Sequence, residues 1–175
     1  MSAKIRQLSS AELPGHLAAL TDILVKTVEA GASVGFVLPF PPGEAASFWQ
    51  DKVFPAVQRS DVLLFGAFLE GRLLGTVQLS VALPPNQPHR ADVGKLLVHP
   101  DARRAGLGRA LMQQLEAEAR RLGKTLLLLD TRSGDPSQRL YESLGYQVAG
   151  SVPGFCRHPS AARFEPTTFL YKALI

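Results

Sequence analysis

The sequence predicts an α/β fold in which a mixed, mostly antiparallel sheet of six to seven strands is flanked by about four helices. One observation is a hairpin signal in the first half, where two apolar strands at 62–69 and 73–81 flank the turn residues Glu70, Gly71 and Arg72. The other is a strand–helix–strand–helix order in the second half. Hairpins followed by alternating strands and helices indicate a mixed sheet with helices on its faces.

The first half of the chain supplies an opening strand at 3–8 and two helices. Ser9 or Ser10 can cap the first helix. A turn-rich loop at 38–43 separates it from a second helix at 44–57. The first helix is predicted from apolar residues at helical spacing, which are Leu13, Leu17, Leu20, Leu24 and Val28.

The second half continues with a strand at 91–98 and a strongly amphipathic helix between Gly106 and Gly123. The next strand, at 125–129, is continuously apolar, which is typical of a strand covered on both faces.

A last helix and two last strands complete the prediction. The last helix begins with a predicted capping box: Asp135 is at the N-cap, Pro136 at N1 and Gln138 at N3. The last two strands are expected at 146–151 and 167–174.

Composition limits the classes of function. The 175 residues suit one domain over 1–175, and the formal charge of +4 suits an anionic ligand. We expect no membrane span, because the apolar stretches are short, and no secretory signal at the N-terminus. A single cysteine, Cys156, cannot form an internal disulfide, so a cytoplasmic location is expected.

A glycine-rich turn before the amphipathic helix is the strongest functional signal. Gly106 and Gly108 allow backbone amides to approach an anion at the helix start, and Arg103, Arg104 and Arg109 can add charge-assisted hydrogen bonds. The pattern indicates a phosphate or pyrophosphate site, with a solvated basic helix start as the plain alternative. Nucleic acid is not expected as a partner, because the chain has no long basic stripe.

Two other glycine-rich loops fit this turn poorly. A Walker A loop needs a lysine and a hydroxyl residue where Arg109 and Ala110 stand. A dinucleotide fingerprint needs a small residue at Leu111 and a turn directly after the strand, whereas seven residues separate Val98 from Gly106.

Two motifs together resemble the GNAT superfamily of N-acetyltransferases. The R-x-x-G-x-G pattern at 103–108 is similar to its acetyl-CoA loop, and L-Y-x-x-x-G-Y at 140–146 is similar to its second motif. The resemblance implies the GNAT fold, acetyl-CoA as co-substrate, no metal, and acetyl transfer to the amine of a small molecule. One departure is Gly134, where the family often has an asparagine that contacts the pantetheine arm.

A narrower resemblance involves the segments 129–134, 150–156 and 168–172. They are similar to the tabtoxin resistance branch of the family, which inactivates an amino-acid-like β-lactam toxin by acetylation. This implies an amino-acid-like toxin or antibiotic as the acceptor, and a homodimer is a family-level expectation.

The resemblance also assigns roles to residues. Tyr141 aligns with the tyrosine that protonates the departing thiolate; Asp92 and Asp130 are the expected bases and amine-binding groups. The plain alternatives are that Tyr141 is a buried helix tyrosine, that Asp92 is a solvated strand end and that Asp130 is a turn residue. The expected acetyl-CoA contacts are Leu97, Val98, Arg103, Arg104, Ala105, Gly106, Leu107, Gly108, Arg109 and Ser137.

Two aromatic residues, Trp49 and Phe155, are expected to line the acceptor pocket, with the loop at 152–166 as a lid. The histidines have no metal-ligand spacing. Two rival functions stay open: a protein or peptide N-acetyltransferase, and a silent CoA-binding module.

Overall fold

The structure, a computed structural model, describes residues 2–175; Met1, the first residue of the predicted domain, lies outside them. Seven strands form one sheet in the order β1-β2-β3-β4-β5-β7-β6. Among the strand pairs of residues 2–175, only β4–β5 is parallel. The strands are β1 (Lys4–Gln7), β2 (Val62–Leu69), β3 (Arg72–Ser80), β4 (Arg90–Val98), β5 (Leu126–Arg132), β6 (Gln147–Arg157) and β7 (Phe164–Ala173).

Four helical blocks flank this sheet within residues 2–175, so the predicted fold class is confirmed. Their segments are α1 (Leu13–Glu29), α2 (Pro42–Phe48), α3 (Phe54–Gln58), α4 (Leu107–Arg121) and α5 (Pro136–Ser143). A π-helical turn, Trp49–Val53, joins α2 to α3 into one block. The sequence predicted this block as a single regular helix, but Pro55 has no amide hydrogen and cannot continue the α pattern.

Helix caps differ from the prediction. Neither Ser9 nor Ser10 caps α1; instead the Glu12 carboxylate accepts hydrogen bonds from the Ser9 amide and hydroxyl. Asp135 does precede α5, but its carboxylate pairs with Arg132, which leaves the helix amides uncapped by it. At α5 a nearby arginine thus occupies the predicted capping group, and at α1 the Ser9 hydroxyl donates to Glu12 and caps no helix amide.

The last hairpin is longer than predicted. β6 continues to Arg157 because it pairs with β7 in two stretches, so much of the expected 152–166 lid is strand. Pro153 and Gly154 fall where the pairing shifts between Val152 and Cys156. Such an interruption depends on the partner strand, which local sequence does not reveal.

Each face of the sheet has its own apolar core. On one face, α4 packs Leu111 and Leu115 against strands that include Ala91 and Leu127. On the other, α1, α2 and the π-helical turn pack against residues of β2, β3 and β4, such as Leu97. No helix in residues 2–175 combines the length and apolar character needed to cross a bilayer.

The middle of β4 carries a bulge. Gly94 is in register with Gln78, whereas Leu97 is in register with Thr76, so β4 has one extra residue there. Lys95 adopts a φ of 50°, which is uncommon outside glycine. Beyond the bulge, β4 side chains point to the opposite faces of the sheet from those that uninterrupted alternation would give. The bulge also changes the direction of the strand.

Candidate active site

A gap opens between β4 and β5 beyond the bulge. The two strands are in register only from Arg90 with Leu126 to Asp92 with Leu128. Both strands continue past this point without pairing to each other. The backbone groups on the β5 side of β4 are therefore available to a ligand.

The ladder direction identifies which amide faces this gap. The His99 amide donates to the Leu74 carbonyl at 2.8 Å, and the pairing continues with Leu97 opposite Thr76. Donor direction alternates along an antiparallel strand, so the Leu97 amide points to β3 and the Val98 amide points to the gap. Of the two amides predicted to contact the thioester, only that of Val98 has the direction required.

The glycine-rich turn lies directly after this strand. Gly106 precedes α4 with a φ of 77°, and no side chain of residues 2–175 caps the helix there. Arg104 also has a left-handed φ of 63°, and Arg103, Arg104 and Ala105 are exposed. The turn thus presents free helix amides and two cationic side chains at one place, which is the chemistry of a phosphate site.

Packing fixes the start of α4 against the sheet. Leu107 is buried in the core, and a Cβ on Gly108 would lie 3.2 Å from a methyl group of Leu140. Gly108 is therefore needed for close approach and Gly106 for its conformation. Arg109 donates to the Ser143 hydroxyl at 2.7 Å, so it connects α4 to α5.

The region expected to meet the pantetheine arm is the start of α5. The Ser137 hydroxyl is 2.7 Å from that of Thr131 on β5. Gly134 has a φ of 81°, and its amide donates to the Gln138 side chain at 2.8 Å. Asparagine, which the family often has here, tolerates a left-handed φ better than most residues. Gly134 therefore keeps the same backbone conformation but lacks the amide side chain.

Asp92 and Asp130 share one face of the sheet. Their neighbours Ala91 and Leu129 point into the α4 core, so alternation along the strands directs both acids to the opposite face. Burial raises the pKa of Asp130, Lys95 lowers it and Asp92 raises it further. Arg90 donates a short hydrogen bond to the Asp92 carboxylate. The two predicted acids are thus close enough to interact electrostatically.

Tyr141 lies in the core on the α4 face of the sheet, opposite the face that carries the two acids. Its side chain is 6% exposed, and its ring centre is 5.8 Å from that of Tyr146. Burial raises the pKa of Tyr141, and the charge of Asp130 raises it further. The hydroxyl is therefore protonated at neutral pH and can act as a proton donor.

Lys95 was not predicted as a site residue, yet it lies among the candidate groups. Its Nζ is 6.0 Å from the centre of the Phe36 ring and 5.7 Å from that of Phe48. Burial lowers the pKa of Lys95, while Asp130 raises it. The only sequence signal was a lysine within an apolar strand, since the bulge that turns it inward depends on β3.

The two predicted aromatic residues have different environments. Phe155 is 47% exposed and packs edge to face on Phe169, which lies opposite Asp130 in the β5–β7 pairing. Trp49, in contrast, is 0% exposed, and its indole N–H donates to the Leu20 carbonyl at 3.0 Å. The prediction that Trp49 lines the acceptor pocket is wrong, because α1 and the sheet enclose it completely.

These groups lie on the sheet face opposite the α4 core, and we call this region the acceptor groove; its residues are Phe36, Phe48, Asp92, Lys95, Asp130, Phe155 and Phe169. Two loops meet at its end, where the Leu38 amide donates to the Pro159 carbonyl at 2.8 Å. Within residues 2–175, no group of three or more histidine, cysteine or acidic side chains is arranged to hold a metal ion.

Comparison with known proteins places this geometry in a family. Residues 28–146 match the model of the Acetyltransferase (GNAT) family. The chain belongs to this family. The GNAT membership predicted from the two motifs is confirmed.

Curated N-acetyltransferases resemble different shares of the chain's length. The bS18-alanine N-acetyltransferase of Escherichia coli K12 is 32% identical over 102 residues, which are 58% of this chain and 66% of that protein. The match therefore spans slightly less than two thirds of that relative. An uncharacterized N-acetyltransferase of Azospirillum brasilense is 35% identical over 148 residues, 83% of each chain.

Solved acetyltransferase structures show the same fold. An N-acetyltransferase of Staphylococcus aureus Mu50 aligns with a TM-score of 0.80 at 20% identity, with 100% of both chains covered. YncA of Salmonella typhimurium, solved with its cofactor acetyl-CoA, aligns at 0.79 and 23% identity over 100% of this chain and 95% of that one.

Proposed function

We propose that this chain transfers the acetyl group of acetyl-CoA to the primary amine of a small molecule. The observation that carries the proposal is the unpaired β4–β5 gap, which holds the Val98 amide beside a free helix N-terminus. A thioester carbonyl at the Val98 amide and phosphates at the helix N-terminus fit a single extended ligand. Membership of the GNAT family supports the same co-substrate.

The phosphates of acetyl-CoA would bind at the start of α4. Its first amides provide N–H donors and a favourable helix dipole, and Arg103 and Arg104 add positive charge. Arg109 would exchange its Ser143 partner for a phosphate oxygen. Ser137 and Gly134 would border the pantetheine arm farther along the gap.

The chemical step needs three groups around the thioester. The attacking amine forms the new C–N bond and gives its proton to Asp130 or Asp92, directly or through water. The Val98 amide stabilises the oxyanion of the tetrahedral intermediate. As the C–S bond breaks, Tyr141 donates its proton to the thiolate of CoA.

The acceptor groove favours a small molecule with an ammonium group. Asp92 and Asp130 can bind an ammonium, with Phe169 opposite Asp130 in the β5–β7 pairing and Phe36 beside Lys95. The Leu38–Pro159 hydrogen bond joins the two loops that a peptide would have to pass. An amino-acid-like toxin or antibiotic, as for tabtoxin resistance, is the acceptor proposed, and detoxification in the cytoplasm is the role. A homodimer is the proposed assembly.

A protein N-terminus is the second candidate acceptor. The E. coli relative at 32% identity acetylates an alanine of ribosomal protein bS18, and the matched part includes more than half of this chain. A peptide would need an open path into the groove, so the two loops must separate for this candidate to hold.

A thiol-release assay with acetyl-CoA tests the proposal. The acceptor panel contains amino acids, aminoglycosides, polyamines and a peptide with an N-terminal alanine. We expect turnover with at least one small amine and a product heavier by one acetyl group. Turnover with the peptide alone would overturn the small-molecule acceptor. Acetyl-CoA binding without turnover of any acceptor would identify a silent binding module instead.

A further inference from the structure

Lys95 is an unusual cation for the middle of a sheet. The bulge gives it a φ of 50° and turns its side chain toward Phe36 and Phe48, whose ring centres lie 6.0 and 5.7 Å from Nζ. A Cβ on Gly35 would lie 3.6 Å from the same Nζ. Two aromatic rings and a tight glycine turn thus hold the ammonium at a defined point of the acceptor groove.

The charge of this ammonium has little compensation. Within residues 2–175, none of the ion pairs includes Lys95. Asp130 acts on it only through space, and that carboxylate also has Asp92 beside it. A partly buried cation without a direct partner is costly, and an anion on a bound ligand would remove that cost.

We propose that Lys95 binds an anionic group of the acceptor, so that the acceptor groove selects a zwitterion with its amine next to a carboxylate, as in a free amino acid. The inference rests on the proposed function and specifies its substrate class. The acid pair would hold the amine, and Lys95 would hold the carboxylate. Asp130 on β5 and Lys95 on β4 would thus bind oppositely charged groups of one molecule. The aromatic rings would contact the apolar part of the same molecule.

The arrangement distinguishes an amino acid from a peptide. In a peptide, the carboxyl group beside the terminal amine is a neutral amide, so Lys95 would lose its anion and stay desolvated. A simple polyamine has no anion either and would place a second cation near Lys95. Both classes are therefore expected to be poor acceptors.

The test compares free L-amino acids with their carboxamides, in which a neutral amide of similar size replaces the anionic carboxylate, at a pH high enough to deprotonate a large share of both amines. For the best acceptor, we expect kcat/KM to exceed that of its carboxamide by about 10- to 100-fold, the range for one charge-assisted hydrogen bond. Lys95→Met should reduce this ratio to within about twofold, and Lys95→Arg should retain most of it. Lys52→Met, which removes an exposed lysine of the π-helical turn, should keep the wild-type ratio.

The outcomes separate this inference from the proposed function. A wild-type enzyme that acetylates the carboxamide as well as the amino acid overturns the role of Lys95, and this result does not depend on whether any variant folds. An unchanged ratio in folded Lys95→Met, checked by thermal unfolding and acetyl-CoA binding, does the same. Failure of every acceptor in the panel would instead overturn the proposed function.

Discussion

Asp92 on β4 is in register with Leu128 on β5, and this is the last pair that joins the two strands. The end of pairing frees the Val98 amide on the far side of the bulge. Asp130, two residues beyond Leu128, lies on the same face as Asp92 because side chains alternate along each strand. The oxyanion donor and the acids of the proposed reaction thus lie around the same gap.

The carboxyl pair gives a prediction about charge. Asp130 has a pKa raised by burial and by Asp92 and lowered by Lys95. Asp92→Asn should therefore lower the pKa of Asp130, and Lys95→Met should raise it. Carbon-13 NMR titration of the side-chain carboxyls measures both shifts, with Asp51→Asn as a surface control. Identical Asp130 titrations in all variants would contradict the proposed proximity.

The same raised pKa predicts opposite effects on activity and stability. A folded pKa above the unfolded one means that ionised Asp130 destabilises the fold once the pH exceeds both values. Asp130→Asn should raise Tm at neutral pH and lower kcat/KM by about 10²-fold, as expected for a general base. A variant with lower Tm and native turnover would make Asp130 a structural residue.

Tyr141 can be tested against a neighbour of the same type. Tyr141→Phe should lower kcat by about 10²-fold with little change in acetyl-CoA affinity, since it removes only the proton donor. Tyr146→Phe is the matched control: its ring packs on that of Tyr141, but its pKa is raised by burial and by Glu116 on α4. Turnover and calorimetric binding measure both. Equal kcat losses in the two variants would indicate a packing effect.

Local sequence predicted the elements and the glycine-rich turn before α4, because both depend on short-range patterns. Gly106 and Gly108 are recognisable from spacing alone, and Tyr141 from its motif. Lys95 could not be predicted, because its inward direction comes from a bulge defined by the pairing with β3. Trp49 was misplaced for a similar reason, since its partner, the Leu20 carbonyl, is 29 residues away.

Trp49 should contribute to stability alone. Trp49→Phe removes the indole donor and leaves the Leu20 carbonyl with one partner fewer in a closed core. We expect a loss of about 1–3 kcal/mol in the free energy of unfolding, measured with urea, and unchanged kcat/KM in the folded protein. A changed acceptor preference without loss of stability would instead show that Trp49 lines the acceptor pocket.

Two glycines that flank α4 can distinguish a loss of stability caused by backbone strain from a loss of acetyl-CoA affinity. Gly106 and Gly123 lie at opposite ends of the helix with φ of 77° and 74°, and a Cβ at either would meet no atom within 4 Å. Alanine should therefore cost about 1–2 kcal/mol of stability at both positions, through backbone conformation alone. Only Gly106→Ala should weaken acetyl-CoA binding, by about tenfold, because its strain displaces the amides that face the phosphates. Calorimetric titration with acetyl-CoA and urea unfolding measure the two effects in each variant. If both variants lose the same affinity, the loss reflects general destabilisation and the phosphates do not bind at the start of α4.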